Sequence, residues 1–272
     1  MRKLIAVDVD GTLVNSDKEI TPRTRHALIS AMKAGHAVMI VSGRPPYGLR
    51  HQAKELDFDK FGGLLSAYNG GLLYDVKKDE LIANHTLDLD LAREILAFSK
   101  DLDLELILTK DEYIYTDRAD GPYIKYESKA VDMEVKEVKD IRDKLQFAPN
   151  KILFAQDPEK IAPESEKLLK KFGDRVVQVK STRFFHEMMP AGLSKGNSIL
   201  EACEIFGIAP KDVIVFGDEM NDVTMFEVAG TGVAMDNAVD PIKDMADFVT
   251  KSNNEDGIAY YLENFLENKE DK

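Results

Sequence analysis

Unbroken aliphatic runs of four or five residues recur along this chain and end in polar or glycine-rich turns: Leu4–Val7, Ala37–Val41 and Val213–Phe216. Runs this short, with no polar interruption, read as strands buried on both faces, the pattern of a parallel sheet covered by helices on either side. Between the first two, Thr21-Pro22 offers an N-cap followed by a first-turn proline. Leu28 and Met32 continue a helical stripe, and Gly35 ends it. Strand, helix and strand in that order predict a parallel pair with a right-handed crossover. A further short strand is predicted to end at Tyr68-Asn69-Gly70-Gly71.

From about residue 84 the rhythm changes. Leu91, Ile95, Phe98 and Leu102 are spaced for one helix face, followed by strand-like runs Leu104–Thr109 and Tyr113–Thr116 around the polar turn Lys110-Asp111-Glu112. The same order returns with Ile161, Leu168 and Phe172 on a helix, then Val176–Val179, then Arg183–Met189. A helix followed by an antiparallel pair, twice, predicts an α+β module with its own sheet. After about residue 190 the first pattern resumes, with a helix near Ser194-Lys195-Gly196, the strand ending at Asp218, then Gly232–Met235 and a last helix after Asp256-Gly257. The prediction is therefore an α/β chain: a Rossmann-like parallel-sheet core (1–83 and 191–272) with helices on both faces, and an inserted α+β cap (84–190). Two crossings between such parts suit hinge motion.

Composition adds bounds. With 272 residues, 44% apolar and 31% charged, the chain can bury a sizeable core. The net charge of -13 sets an average field that repels nucleic-acid phosphates, so no nucleic-acid partner is expected. Small phosphorylated ligands remain compatible, because a metal and a few cations can reverse the sign locally. Cys203 is the single cysteine and lies in a helical pattern, which reads as core filler in a reducing compartment. The first aliphatic run is too short for a signal peptide and no stretch approaches a membrane span, so a cytoplasmic protein with no membrane partner is expected. Oligomeric state is not legible.

Candidate chemistry sits where the runs stop. Leu4–Val7 leads into Asp8-Val9-Asp10-Gly11-Thr12, and Val213–Phe216 into Gly217-Asp218. Ligands of open parallel sheets bind outside the carboxyl ends of the strands, so Asp8, Asp10 and Asp218 are predicted to converge. Clustered carboxylates repel unless neutralised, and an all-oxygen acidic site suits Mg2+. The plain alternative is an Asp-Gly turn with solvated carboxylates. Asp8 is a candidate nucleophile, able to accept a phosphoryl group. Asp10, two residues on, points the same way if the chain is extended, and can act as general acid and then base. Thr12 is expected to tie down the turn.

Ser42 and the amide of Gly43 stand where a strand enters a helix, a favourable place for an anion. Lys195 at a helix start opposes the macrodipole, so a phosphate or Asp8 should compensate it. In Gly217-Asp218-Glu219-Met220-Asn221-Asp222, Asn221 can bond a phosphate oxygen and Asp222 is expected to orient its neighbours, against the alternative that both merely cap a helix. In the inserted module His186 reads as a packed residue rather than a base, and Tyr113, Tyr115, Tyr123 and Tyr126 read mainly as packing, with lining of a substrate pocket as the alternative.

With Asp8-x-Asp10-Gly-Thr, Ser42-Gly43-Arg44, Lys195 and Gly217-Asp218-x-x-Asn221-Asp222 in that order, the chain resembles the haloacid dehalogenase superfamily, and within it the Cof-type phosphatases with a type IIB cap. Val233–Ala238 and Ser252–Gly257 are also similar to that family, so the resemblance spans essentially the whole chain. It implies a Mg2+-dependent phosphatase of small phosphomonoesters, sugar phosphates first, in which Asp8 forms an aspartyl phosphate and Asp10 is the acid/base. It further implies metal held by Asp8, the Asp10 carbonyl and Asp218, and phosphate held by Ser42, Lys195 and Asn221. Asp236 stands where many Cof-type members have Gly, which raises the question of an altered loop beside the metal. A phosphomutase using the same chemistry, or a non-catalytic phosphate-sensing module, are the alternatives.

Overall fold

The computed structural model describes residues 2–266. Its strands, in chain order, are β1 (Leu4–Val7), β2 (Ala37–Val41), β3 (Leu64–Ala67), β4 (Leu72–Asp75), β5 (Glu80–Asn84), β6 (Glu105–Lys110), β7 (Tyr113–Thr116), β8 (Glu134–Glu137), β9 (Ile152–Ala155), β10 (Val176–Thr182), β11 (Phe185–Pro190), β12 (Val213–Gly217), β13 (Thr231–Ala234) and β14 (Phe248–Val249). They form two sheets, and the chain divides into two compact units.

Among the described residues, the first unit comprises 2–43, 49–83 and 194–266. Its sheet has the order β14-β13-β12-β1-β2-β3-β4-β5. Every pairing from β14 to β3 is parallel, and β4 runs antiparallel to β3. The aliphatic runs serve both faces, as their lack of polar residues requires. In β1, Ile5 and Val7 enter one apolar cluster with Leu28 and Met32 of the helix Pro22–Lys33 and with Ile258, while Leu4 and Ala6 enter another with Ile199 and Cys203 of the helix Lys195–Phe206. Thr21 caps the first of these helices, its side chain accepting from the Thr24 N–H at 3.2 Å.

The second unit comprises 84–193 and the short segment 44–48, a placement the one-dimensional pattern does not indicate. Its sheet has the order β10-β11-β9-β6-β7-β8 and is antiparallel apart from the β7–β8 pair. The helices Leu89–Phe98 and Pro158–Phe172 cover one face through Ile95, Leu96, Ile161, Leu168 and Phe172. The helix Pro122–Val131 covers the other through Ile124 and Val131. Leu102 departs from its expected helical position: the helix ends at Phe98, a tight turn covers Ser99–Asp101, and Leu102 is extended.

The central strand β9, the edge strand β8 and the helix Pro122–Val131 carry little sequence signal. β9 is only four residues long; three of the four residues of β8 are exposed; and the helix buries only Ile124 and Val131. Among the described residues, no helix is long and apolar enough to cross a membrane.

Candidate active site

Topology brings the two acidic strand ends together. β1 and β12 pair in parallel with Val7 opposite Phe216, so Asp8 and Asp218 leave neighbouring strands at the same end. The Asp8 N–H donates to the Phe216 carbonyl at 3.1 Å, extending the ladder by one bond. β2 lies on the other side of β1, with Ile40 opposite Val7, which puts Ser42 and Gly43 on that same sheet edge.

Asp8, Asp218 and Asp222 are all buried, and one carboxylate oxygen from each lies within 4.8 Å of the others. Lys195, 1% exposed, reaches into this group from the first turn of its helix. Its ammonium donates to Asp8 Oδ1 at 2.7 Å and Asp222 Oδ1 at 2.6 Å. The anionic compensation that a lysine at a helix N-terminus requires is thus supplied by two carboxylates. Asp222 Oδ2 accepts from the backbone N–H groups of Asp218 at 2.9 Å and Glu219 at 3.1 Å, so Asp222 orients both the lysine and the turn carrying Asp218. Thr12 ties its turn down across the sheet edge, its hydroxyl donating to Asp218 Oδ1 at 2.6 Å.

Two glycines make room for this packing. Gly11 has φ +85°, and a Cβ there would run into the Asp218 carboxylate. At Gly217 a Cβ would lie 2.8 Å from the Asp222 side chain. The left-handed conformation at Gly11 also favours glycine on its own account.

Three buried carboxylates stand around one ammonium, which bonds two of them. Burial pushes the Asp8 carboxyl up to about 8, against the lowering effect of Lys195 and with the help of Asp222. Burial likewise pushes Asp218 up to about 6, opposed by the Thr12 hydrogen bond and reinforced by Asp222. Burial works to lower the Lys195 pKa, but Asp222 and Asp8 outweigh it and raise the value. A divalent cation would supply the missing positive charge. Lys195 and Thr12 engage one oxygen of Asp8 and one of Asp218, whereas both oxygens of Asp222 are engaged, so Asp8 and Asp218 are the carboxylates that could take up a metal more readily. The donor set is all oxygen, which fits a hard ion such as Mg2+.

Asp10 departs from the extended-chain expectation. β1 stops at Val7 and the chain turns at once, with the Leu13 and Val14 N–H groups returning to the Val9 carbonyl at 3.0 and 3.1 Å. Asp8 is buried, whereas Asp10 is exposed, its carboxylate 3.0 Å from Lys18 Nζ. Its side chain lies outside the three-carboxylate cluster.

The remaining candidates fall as follows. Ser42 is buried directly after β2, its N–H donating to the Ser66 carbonyl and its carbonyl accepting from the Asn69 N–H, both at 2.9 Å. Gly43 is half-buried, and a Cβ there would come within 3.1 Å of the Asn69 amide. Asn221 is exposed in the turn Met220–Asp222 after Asp218. Asp236 is exposed and stands outside the cluster, its N–H bonding the Lys251 carbonyl at 3.3 Å.

In the second unit, His186 is buried with Nε2 2.7 Å from Gln178 Oε1, and burial, helped by Lys180, pushes its pKa to about 4, so it packs as a neutral ring. Tyr123 and Tyr126 pack against Phe184 and Phe185. Cys203 is core filler. Asn237, Asn253 and Asn254, which bond the loop after Asp10, have no sequence signal beyond membership of the two C-terminal segments.

Comparison with known proteins extends the local picture to the whole chain. A 5-amino-6-(5-phospho-D-ribitylamino)uracil phosphatase of Bacillus subtilis, YwtE, is 28% identical over 97% of this chain and 98% of its own length. The pyridoxal phosphate phosphatase YbhA of Escherichia coli is 27% identical over 97% and 98%. A crystal structure of a haloacid dehalogenase-like hydrolase from Bacteroides thetaiotaomicron superposes with a TM-score of 0.93 at 32% identity, covering 98% of this chain and all of that one. The family model described as haloacid dehalogenase-like hydrolase matches residues 5–262, and the chain belongs to that family.

Proposed function

We propose that this protein is a Mg2+-dependent phosphatase of small phosphomonoesters, sugar phosphates foremost, acting through a phosphorylated Asp8. The observation that carries this reading is the buried Lys195 ammonium shared between Asp8 and Asp222 at the strand edge where Asp218 also ends. A buried cation with two carboxylate partners fixes the Asp8 side chain in one orientation, which a nucleophile needs and a solvated loop cap does not.

The side chains of Asp8 and Asp218, with the main-chain carbonyl of Asp10, would hold the metal. When bound, Mg2+ supplies positive charge that offsets the repulsion between an anionic phosphate and these carboxylates. Asp8 attacks phosphorus through a carboxylate oxygen; the new P–O bond forms as the bond to the leaving oxygen breaks. Asp10 gives its proton to that leaving oxygen, then takes one from the water whose oxygen bonds phosphorus as the bond from phosphorus to Asp8 breaks, which frees the carboxylate and releases inorganic phosphate. The Asp10 pair with Lys18 is exposed on both sides, so it restrains the carboxyl only weakly and leaves it able to turn. Lys195, Ser42, the Gly43 amide and Asn221 are assigned to the phosphate oxygens.

The names of YwtE and YbhA support the substrate class: a ribityl phosphate and pyridoxal phosphate are both small phosphomonoesters. The inserted segment 84–190 is assigned the choice of leaving group. A panel of sugar, ribityl and pyridoxal phosphates assayed with Mg2+ tests the reading. Release of inorganic phosphate from at least one, dependent on Mg2+, supports it; an isomerised ester without phosphate would assign a mutase, and inertness toward the whole panel would remove the phosphatase reading.

A further inference from the structure

The two C-terminal segments that resemble the family take no part in the chemistry above, yet their asparagines converge on the loop that follows Asp10. Asn237 Nδ2 donates to the Gly11 carbonyl at 2.8 Å. Asn253 Nδ2 donates to the Val14 carbonyl at 2.8 Å, while its backbone N–H donates to Asn237 Oδ1 at 3.0 Å. Asn254 brackets Ser16, accepting from its N–H at 2.9 Å and donating to its hydroxyl at 3.0 Å. Farther along, the Thr21 hydroxyl donates to Asp256. The loop is thus gripped at 11, 14, 16 and 21 by chain more than two hundred residues away.

We infer that Asn237, Asn253 and Asn254 are positioning residues, a clasp that holds the Asp10–Ser16 loop in register with Asp218. Gly11 is the point that matters. It shares a peptide unit with Asp10, and its Cα packs so closely on the Asp218 carboxylate that a Cβ would collide with it. The Gly11 carbonyl lies in the next peptide unit, shared with Thr12, so holding it from outside limits how Gly11 can swing and, through Gly11, restrains the Asp10 carbonyl and the wall against Asp218. Asn237 and Asn254 are exposed, where a hydrogen bond replaces one to water and adds little to stability. What these bonds determine is where the loop lies. Asn15 completes the arrangement from within, its side chain accepting from the N–H groups of Asp17 and Glu19 at 3.0 Å each and closing the turn that carries Lys18 back to Asp10.

The inference rests on the phosphatase reading for its kinetic consequence, and not for the loop itself. Its test compares Asn237→Ala, Asn253→Ala and Asn254→Ala with the wild type and with Asn264→Ala, which removes a surface asparagine bonded to the Tyr260 carbonyl, away from the loop. Three quantities are read: amide hydrogen exchange in peptides covering 11–17, the half-saturating Mg2+ concentration, and kcat and KM for the best phosphomonoester. Exchange over 11–17 should rise by about tenfold or more in the clasp variants, and not in Asn264→Ala. Asn237→Ala should lose about tenfold or more in kcat with KM within about threefold, as expected of misplaced reacting groups. Because Asn237 and Asn254 are exposed, these variants stay informative if Asn253→Ala fails to fold. Unchanged exchange over 11–17 overturns the clasp whatever the enzyme acts on; accelerated exchange with unaltered kcat and Mg2+ dependence overturns its positioning role. A wild type inert toward every phosphomonoester would instead remove the phosphatase reading and leave the exchange result standing.

Discussion

Lys195 Nζ lies 2.7 Å from Asp8 Oδ1 and is 1% exposed, so the proposed nucleophile is held by a cation that water does not reach. The same ammonium lies 2.6 Å from Asp222, and the three groups depend on one another electrostatically. Removing one member of a buried ion pair leaves an uncompensated charge and costs about 3–5 kcal/mol. Lys195→Met should therefore destabilise the fold by roughly that amount in urea denaturation and abolish phosphate release together. Stability within about 1 kcal/mol of wild type would mean that Asp8 and Asp222 find other partners.

A second expectation follows from the raised Asp8 and Asp218 carboxyls. In the unfolded chain both titrate near 3.8; in the folded, metal-free protein Asp8 does so near 8 and Asp218 near 6. Between those values the folded state binds more protons than the unfolded one, so the stability these groups contribute is present at low pH and is lost as pH rises, through 6 for Asp218 and 8 for Asp8. Mg2+ binding must displace those protons, so its stabilising effect grows over the same interval. Thermal unfolding from pH 5 to 8, with EDTA and with Mg2+, should show a widening gap between the curves. Asp8→Asn should flatten the metal-free profile, and identical profiles for the two proteins would contradict the assignment.

Gly11→Ala should weaken metal dependence more than it weakens the fold. A side chain in a left-handed conformation costs about 1–2 kcal/mol, and the added methyl must displace the Asp218 carboxylate. The half-saturating Mg2+ concentration should rise while cooperative unfolding persists. An unchanged Mg2+ requirement would show that Asp218 is not a ligand.

Exchanging residues 85–189 for the corresponding segment of a relative with different preferences should reorder the substrate ranking while keeping dependence on Asp8 and Mg2+. An active chimera with the original ranking would place selectivity in the parallel-sheet unit.

What could be read from the chain follows a physical division. Asp8 and Asp218 were legible because each ends an unbroken aliphatic run, and parallel register then forces two such ends together. Lys195 was legible through the conflict between its charge and the helix dipole, which the structure resolves with Asp8 and Asp222. Asp10 was less legible, because β1 stops at Val7 and the turn that follows leaves the Asp10 side chain exposed beside Lys18. Asn237, Asn253 and Asn254 were hidden for another reason. They bond mainly to main-chain atoms of Gly11, Val14 and Ser16, which have no side-chain signature and lie 226 to 239 positions away. β9 is a four-residue run whose place at the middle of its sheet is fixed by β6 and β11, not by its own composition.

In the proposed mechanism Asp8 carries the phosphoryl group. Rapid quenching of the enzyme during turnover with Mg2+, reductive trapping of acyl phosphate and peptide mass analysis test it most directly. Homoserine is expected at position 8 in the wild type and none in Asp8→Asn, which should lose phosphate release with its fold intact. Asp10→Asn should lose about a hundred- to ten-thousand-fold in turnover. Phosphate release by Asp8→Asn near the wild-type rate, or a trapped acyl phosphate at any other carboxylate, would contradict the account.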